Sequence, residues 1–160
     1  MKRLAIVVFL ALELTLSGCG GNSPTNTAPT TASGTWQAVL SGGSGAASGL
    51  SFVTTFSVNS DGSLNVSGIE FITAGACFAS GATASGSLMV TTTNNVVTGP
   101  LSFVVQSGTP PGNTLTLTGT ENGTVITGTW TLAGGSDCNE STPESFTMCQ
   151  GTGACTPTTT

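Results

Sequence analysis

The chain has 160 residues, with 2 Lys/Arg against 7 Asp/Glu and no His or Tyr, a length that bounds it to about one domain. Both cations, Lys2 and Arg3, stand at the extreme N-terminus, so a product beginning at Cys19 keeps no Lys, Arg or His. Nucleic-acid binding, attraction to anionic lipid, and most acid–base, phosphate and Schiff-base chemistry use those side chains; carboxylates, hydroxyls and thiols remain, with no cofactor or metal to expect.

Residues 1–18 read as an export segment. Met1-Lys2-Arg3 is a basic head, and Leu4 to Leu16 is an apolar stretch broken only by Glu13 and Thr15, too short to span a bilayer. It ends in Leu16-Ser17-Gly18-Cys19, which resembles the lipobox of bacterial lipoproteins. The resemblance implies cleavage before Cys19, acylation of Cys19 and a seat in the cell envelope, while Glu13 departs from the usual uncharged stretch. Because Gly20 rather than Asp follows the cysteine, it further implies the outer membrane in a Gram-negative host and the plasma membrane in a Gram-positive one. Each buried acyl methylene contributes about 0.8 kcal/mol, so several chains on one cysteine hold a protein to the membrane without a basic patch. Residues 19–33 are then the lipidated cysteine and a flexible tether. Gly20 to Ser33 contains no large apolar residue, and a coil of that length wanders roughly 20 Å from its anchor.

From Gly34 onward the pattern changes. The chain is 38% hydrophobic with a mean hydropathy of +0.30, enough apolar surface to fold, and its Thr, Val and Gly suit pleated strands and tight turns. Alternation of period two recurs between turn signals. Gly34 to Leu40 places Trp36, Ala38 and Leu40 on one face; Ser41 to Gly49 is a Gly/Ser/Ala loop; Leu50 to Val58 places Leu50, Phe52, Phe56 and Val58 together, with Thr54 the polar member. Asn59-Ser60-Asp61-Gly62 reads as a hairpin turn. Leu64 and Val66 then face inward before the phase shifts, at Gly68, to Ile69 and Phe71. A one-residue shift at a glycine predicts a β-bulge that turns Glu70 outward.

Ala82 to Thr92 reads as one strand carrying Leu88 and Val90, turning at Asn94-Asn95 into Val96 to Gln106 with Leu101, Phe103 and Val105 on one face. Pro100 there marks an edge or a bend. Beyond a turn at Thr109-Pro110-Pro111-Gly112-Asn113, Thr114 to Thr120 carries Leu115 and Leu117, and Glu121-Asn122-Gly123 makes a hairpin. Thr124 to Leu132 aligns Ile126, Gly128, Trp130 and Leu132, and Glu144 to Cys149 supplies Phe146 and Met148. These are about eight strands joined by short turns, an all-β antiparallel up-and-down meander over residues 34–149 that closes into a small barrel, with a β-sandwich as the alternative. Residues 150–160 are a C-terminal tail with a disulfide loop.

Gly34-Thr35-Trp36 and Gly128-Thr129-Trp130 resemble the glycine-x-tryptophan of lipocalins and avidin-like barrels. Together with Gly75-Ala76-Cys77-Phe78, Gly134-Gly135 and Cys138, they are similar to secreted, β-rich bacterial lipoproteins of unknown function. The lipocalin resemblance implies a cavity for a small apolar ligand around Trp36, Phe52, Phe103 and Trp130. Two indoles plugging a core are the competing reading.

With Cys19 given to lipid, Cys77, Cys138, Cys149 and Cys155 remain, an even set in an exported protein. Three pairings exist. Cys77 with Cys138, both in inter-strand loops at neighbouring ends of the meander, and Cys149 with Cys155 is the expected one. Two carboxylates suffice for glycoside hydrolysis, so Glu70 with Glu121, Glu140 or Glu144 is a candidate pair, whereas acids in or beside turns, Asp61, Asp137, Glu140 and Glu144, are ordinarily solvated. A serine nucleophile has no His or Lys base. The sequence therefore describes a monomeric, non-catalytic, lipid-anchored envelope protein. Its expected partners are the membrane, through the N-terminal lipid, and either an envelope protein or a small apolar ligand; nucleic acid is not among them. A carboxylate glycosidase is the remaining alternative.

Overall fold

The computed structural model describes residues 32–59, 61, 63–78, 82–88, 91–93, 96–107, 112–135, 137–151, 153 and 155. The leader, Cys19 and the tether as far as Thr31 lie outside them, as do Val90 and Asn94-Asn95. Nine strands and one 3-10 turn (Gly45–Ala47) are described: β1 (Gly34–Leu40), β2 (Ser51–Val58), β3 (Leu64–Thr73), β4 (Thr83–Leu88), β5 (Thr91–Thr93), β6 (Val96–Gln106), β7 (Thr114–Asn122), β8 (Val125–Ala133) and β9 (Glu140–Gln150). They pair antiparallel in the order β3-β2-β1-β9-β8-β7-β6-β4, with short β5 on β6. First and last strands therefore meet, and the meander curls into an eight-stranded, nearly closed barrel. Between β3 and β4 the ring is completed by one bridge, Ser63 to Ser87.

Alternation places the core. Trp36, Ala38 and Leu40 of β1, Phe52 and Phe56 of β2, Leu101, Phe103 and Val105 of β6, Leu115 and Leu117 of β7, Ile126, Trp130 and Leu132 of β8, and Phe146 and Met148 of β9 are all buried in one cluster. Their strand neighbours turn outward, so the faces read from the sequence are those the barrel uses. The bulge at Gly68 is present: Thr55 pairs with Gly68 but Phe56 with Val66. Glu70 is exposed, and Thr54, buried among apolar residues, donates its hydroxyl to the Gly68 carbonyl at 2.9 Å. A buried hydroxyl needs such a partner, and the bulge supplies it.

Two details differ from expectation. A second bulge falls between Phe71 and Thr73, leaving Ile72 the one large hydrophobic residue exposed among those described. The run from Ala82 to Thr92 pairs with β6 in a single register, β4 through Leu88–Leu101 and β5 through Thr91–Thr98, with residues 89–90 outside those described. Pro100 of β6 pairs with Thr120 of β7. Finally β9 begins at Glu140, not Glu144, because two extra residues of β9 are absorbed between the pairs Trp130–Glu144 and Leu132–Glu140.

The barrel has two unlike ends. One, the loop end, carries the β1–β2, β3–β4, β6–β7 and β8–β9 connections. The other, the terminal end, carries the start of β1, the end of β9 and the β2–β3 and β7–β8 turns.

Candidate functional site

The four residues expected around a cavity, Trp36, Phe52, Phe103 and Trp130, are each no more than 1% exposed and belong to one buried core cluster. The Trp36 ring stacks on Phe56 with centroids 5.5 Å apart, and Phe52 stacks on Phe103 at 6.0 Å. The indoles serve opposite ends. Trp36 pairs with Gln150 and Trp130 with Glu144, six residues apart on β9, about 20 Å of strand. At the terminal end the Trp36 Nε1 donates to the Ala32 carbonyl at 2.9 Å. At the loop end the Trp130 Nε1 is shared between the carbonyls of Ser41 and Ser145 at 3.0 and 3.1 Å. Both buried donors are satisfied, as packed indoles require.

Gly43 explains how the β1–β2 loop reaches down onto Trp130. Its φ of +77° suits glycine, and a Cβ there would stand 2.9 Å from the indole ring. The same end is tied by the disulfide between Cys77 and Cys138, with Cα atoms 5.4 Å apart. Phe78 stacks on Phe71 at 4.7 Å beneath the β3–β4 loop. Asn113, which the sequence places only in a turn, joins three loops here. Its Nδ2 donates to the Cys77 carbonyl, its Oδ1 accepts from Gly135 N–H, and its N–H donates to the Ser107 hydroxyl. The second disulfide, Cys149 with Cys155, staples the end of β9 at the terminal end. Both bonds are the expected pairs.

The carboxylates separate into distinct environments. Glu70, Asp61 and Asp137 are exposed. Asp61 accepts the Ser63 N–H at 2.9 Å and the Ser63 hydroxyl at 2.6 Å, bonds that hold its carboxyl below the usual range and close the β2–β3 hairpin. Glu140 and Glu144 are partly exposed. They occupy inward positions of β9 opposite Leu132 and Trp130, where Glu140 accepts from the Ser44 hydroxyl at 3.4 Å. Glu144 lies against Gly42.

Glu121 differs from all of these. Read from the sequence as part of a hairpin turn, it is instead the last inward residue of β7, opposite Gly99 and Ile126. It is fully buried, neither carboxylate oxygen has a hydrogen-bond partner among the described residues, and burial pushes its pKa from 4.5 to about 7. The alternation Leu115, Leu117, Gly119, Glu121 carried the signal. From Glu121, level with Ile126, to Glu144, level with Trp130, the barrel rises four residues, about 14 Å of strand. Glycosidase carboxyls stand about 5 to 9.5 Å apart.

The outer wall of β6 to β9 is chemically uniform. Thr118 pairs with Thr129 and Thr120 with Thr127, flanked by Ser102 on β6 and Ser145 on β9, and all six are exposed. This face presents hydroxyls and no charge. Across the barrel, a shallow cleft of about 270 Å³ lies where β3 and β4 part, walled by Val66 to Ile69 and by Ala82, Thr83 and Ala84. Among the described residues no three His, Cys, Asp or Glu side chains gather as a metal site. Comparison of the chain with protein-family models, with curated proteins and with solved structures finds no match.

Proposed function

We propose that this is a lipid-anchored, non-catalytic protein of the cell envelope, held by Cys19, whose barrel serves a structural or interaction role through its outer surface. One observation carries the reading: Trp36, Phe52, Phe103 and Trp130, the inward positions a carrier would leave around its ligand, are buried against neighbouring side chains. Small barrels filled in this way keep their binding chemistry outside. The carboxylates support it further: Glu121, the fully buried one, lies about 14 Å of strand from Glu144, beyond the spacing that glycoside hydrolysis uses. What the outside offers is the uncharged hydroxyl wall of β6 to β9, suited to polar, uncharged surfaces of an envelope protein or glycan.

The anchor is tested by replacing Cys19 with serine in the full-length chain. The unaltered protein is expected in the membrane fraction, with its mature N-terminus at acylated Cys19 by intact-mass measurement. C19S is expected in the soluble fraction, without the lipid mass and with an unchanged barrel. Equal partitioning of both forms, or a mature N-terminus elsewhere, contradicts the reading.

A further inference from the structure

We propose that Glu121 is a proton-operated latch: the terminal end of the barrel is held shut around the β7–β8 hairpin while this carboxyl carries a proton, and loosens when it ionises. Geometry makes the residue unusual. Its side chain is 0% exposed and both oxygens lack partners among the described residues, so no described group compensates the charged form, and an unpaired buried charge is among the costliest groups a fold can hold.

No facing group relieves it. The inward residues of the flanking strands are Leu101, Phe103 and Val105 on β6, and Ile126, Trp130 and Leu132 on β8. β1, β2 and β4 carry no titratable side chain. On β9, Glu140 and Glu144 stand at the loop end, and Cys149 is bonded to Cys155. Glu70 on β3, Asp61 in the β2–β3 turn and Asp137 in the β8–β9 loop are exposed. No cation follows Arg3 in the chain. Ionised Glu121 can therefore regain hydration only by letting water in.

The nearest route is the hairpin itself. Glu121 is the next-to-last residue of β7, and the turn beside it, at the end of the ladders to β6 and β9, is tied to the strand termini by backbone bonds. The Gln150 N–H donates to the Thr124 carbonyl at 2.9 Å, and beside it the Gly151 N–H donates to the Thr35 carbonyl at 2.7 Å. Terminal hairpins of this kind open at lower free energy than the core.

The sign follows from linkage. The carboxyl binds its proton more tightly in the closed barrel, about 7 against 4.5 when hydrated. Closure is then fully favoured below the lower value, weakens as pH rises between the two, and levels off above the higher one. That interval corresponds to a change in the opening equilibrium on the order of a hundredfold.

The test is amide hydrogen exchange of residues 121–126, Gln150 and Gly151 between pH 5 and 8, corrected for the intrinsic pH dependence of exchange, on the full mature chain in detergent micelles. In the unaltered chain, opening at these amides is expected to rise on the order of a hundredfold, with the β1–β2 core little changed. E121Q, neutral at every pH, is expected to flatten the profile, and E70Q, at an exposed acid, to leave it as in the unaltered chain. Parallel profiles for E121Q and the unaltered chain overturn the proposal. If E121Q does not fold, a carbon-detected NMR titration of the Glu121 carboxyl in the unaltered chain decides: a midpoint near 7 supports the latch, and an ordinary midpoint near 4.5 overturns it.

Discussion

Replacing Gly128 with alanine is expected to destabilise the barrel by about 2 to 3 kcal/mol, and replacing it with valine to prevent folding. Gly128 of β8 pairs with Gly119 of β7 and with Phe146 of β9. A Cβ on Gly128 would run into the Thr118 carbonyl and the Gly119 Cα, both main chain. A Cβ on Gly119 would stand 2.6 Å from the Thr127 oxygen and 2.8 Å from the Phe146 ring. Main chain in a paired ladder cannot step aside as a flexible side chain can, so the strain spreads along β7 and β8. The absence of side chains at this pair is what lets the Phe146 ring lie across it. Gly68 is the control: nothing lies within 4 Å of where its Cβ would be, and G68A is expected within about 0.5 kcal/mol of the unaltered protein. Guanidinium midpoints for G128A, G119A and G68A check this. Equal midpoints for G128A and G68A would show that β7 and β8 do not approach as described.

Removing the loop-end disulfide, as the C77A/C138A pair, is expected to cost about 4 kcal/mol. The two cysteines are 61 residues apart in sequence, so the bond closes a long loop in the unfolded chain, and the entropy it removes grows with the logarithm of that loop. Cys149 and Cys155 are only 6 apart, and C149A/C155A is expected to cost about 2 kcal/mol. The larger loss has a structural component as well. Cys77 sits between the Phe71–Phe78 stack and the Asn113 hydrogen bonds, so the unbonded β3–β4 loop no longer covers its end of the seam. Against a typical total of about 5 to 15 kcal/mol, the first loss leaves a marginal fold. Denaturant unfolding of both double variants measures it. A greater cost for C149A/C155A would mean that the terminal staple, not the loop strap, holds the barrel.

Most of the barrel was legible because its strands obey one simple rule. Trp36, Ala38 and Leu40, or Leu101, Phe103 and Val105, alternate without interruption, and each run ends at residues that favour turns. Even the Gly68 bulge left a trace, since Leu64 and Val66 are out of phase with Ile69 and Phe71. The bulge at Ile72 left none, because Phe71-Ile72-Thr73 contains no glycine to mark a slipped register. Pairing of Cys77 with Cys138 followed from topology, because the β3–β4 and β8–β9 loops of a meander emerge at the same end.

The acids were harder to read, for a physical reason. Its place beside Asn122-Gly123 suggested a hairpin turn for Glu121, yet the alternation begun at Leu115 continues through Gly119 to place it inside. Alternation prevailed over residue type, and the cost of that placement appears as a raised pKa. Glu140 and Glu144 lie in β9 because the strand starts at Glu140, four residues before the run read from Glu144. Asn113 drew no attention, because a turn asparagine that ties three loops looks in sequence like any other.

The claim on which the functional reading rests is that the barrel interior is filled by its own side chains. Trp36 and Trp130 report on both ends of that interior, so the direct measurement is tryptophan emission of soluble C19S protein titrated with a brominated fatty acid, which quenches an indole only on contact. The filled barrel predicts blue-shifted emission from both indoles and no saturable quenching across the titration. Saturable quenching at one fatty acid per chain would contradict it, and would make the protein a carrier of apolar ligands.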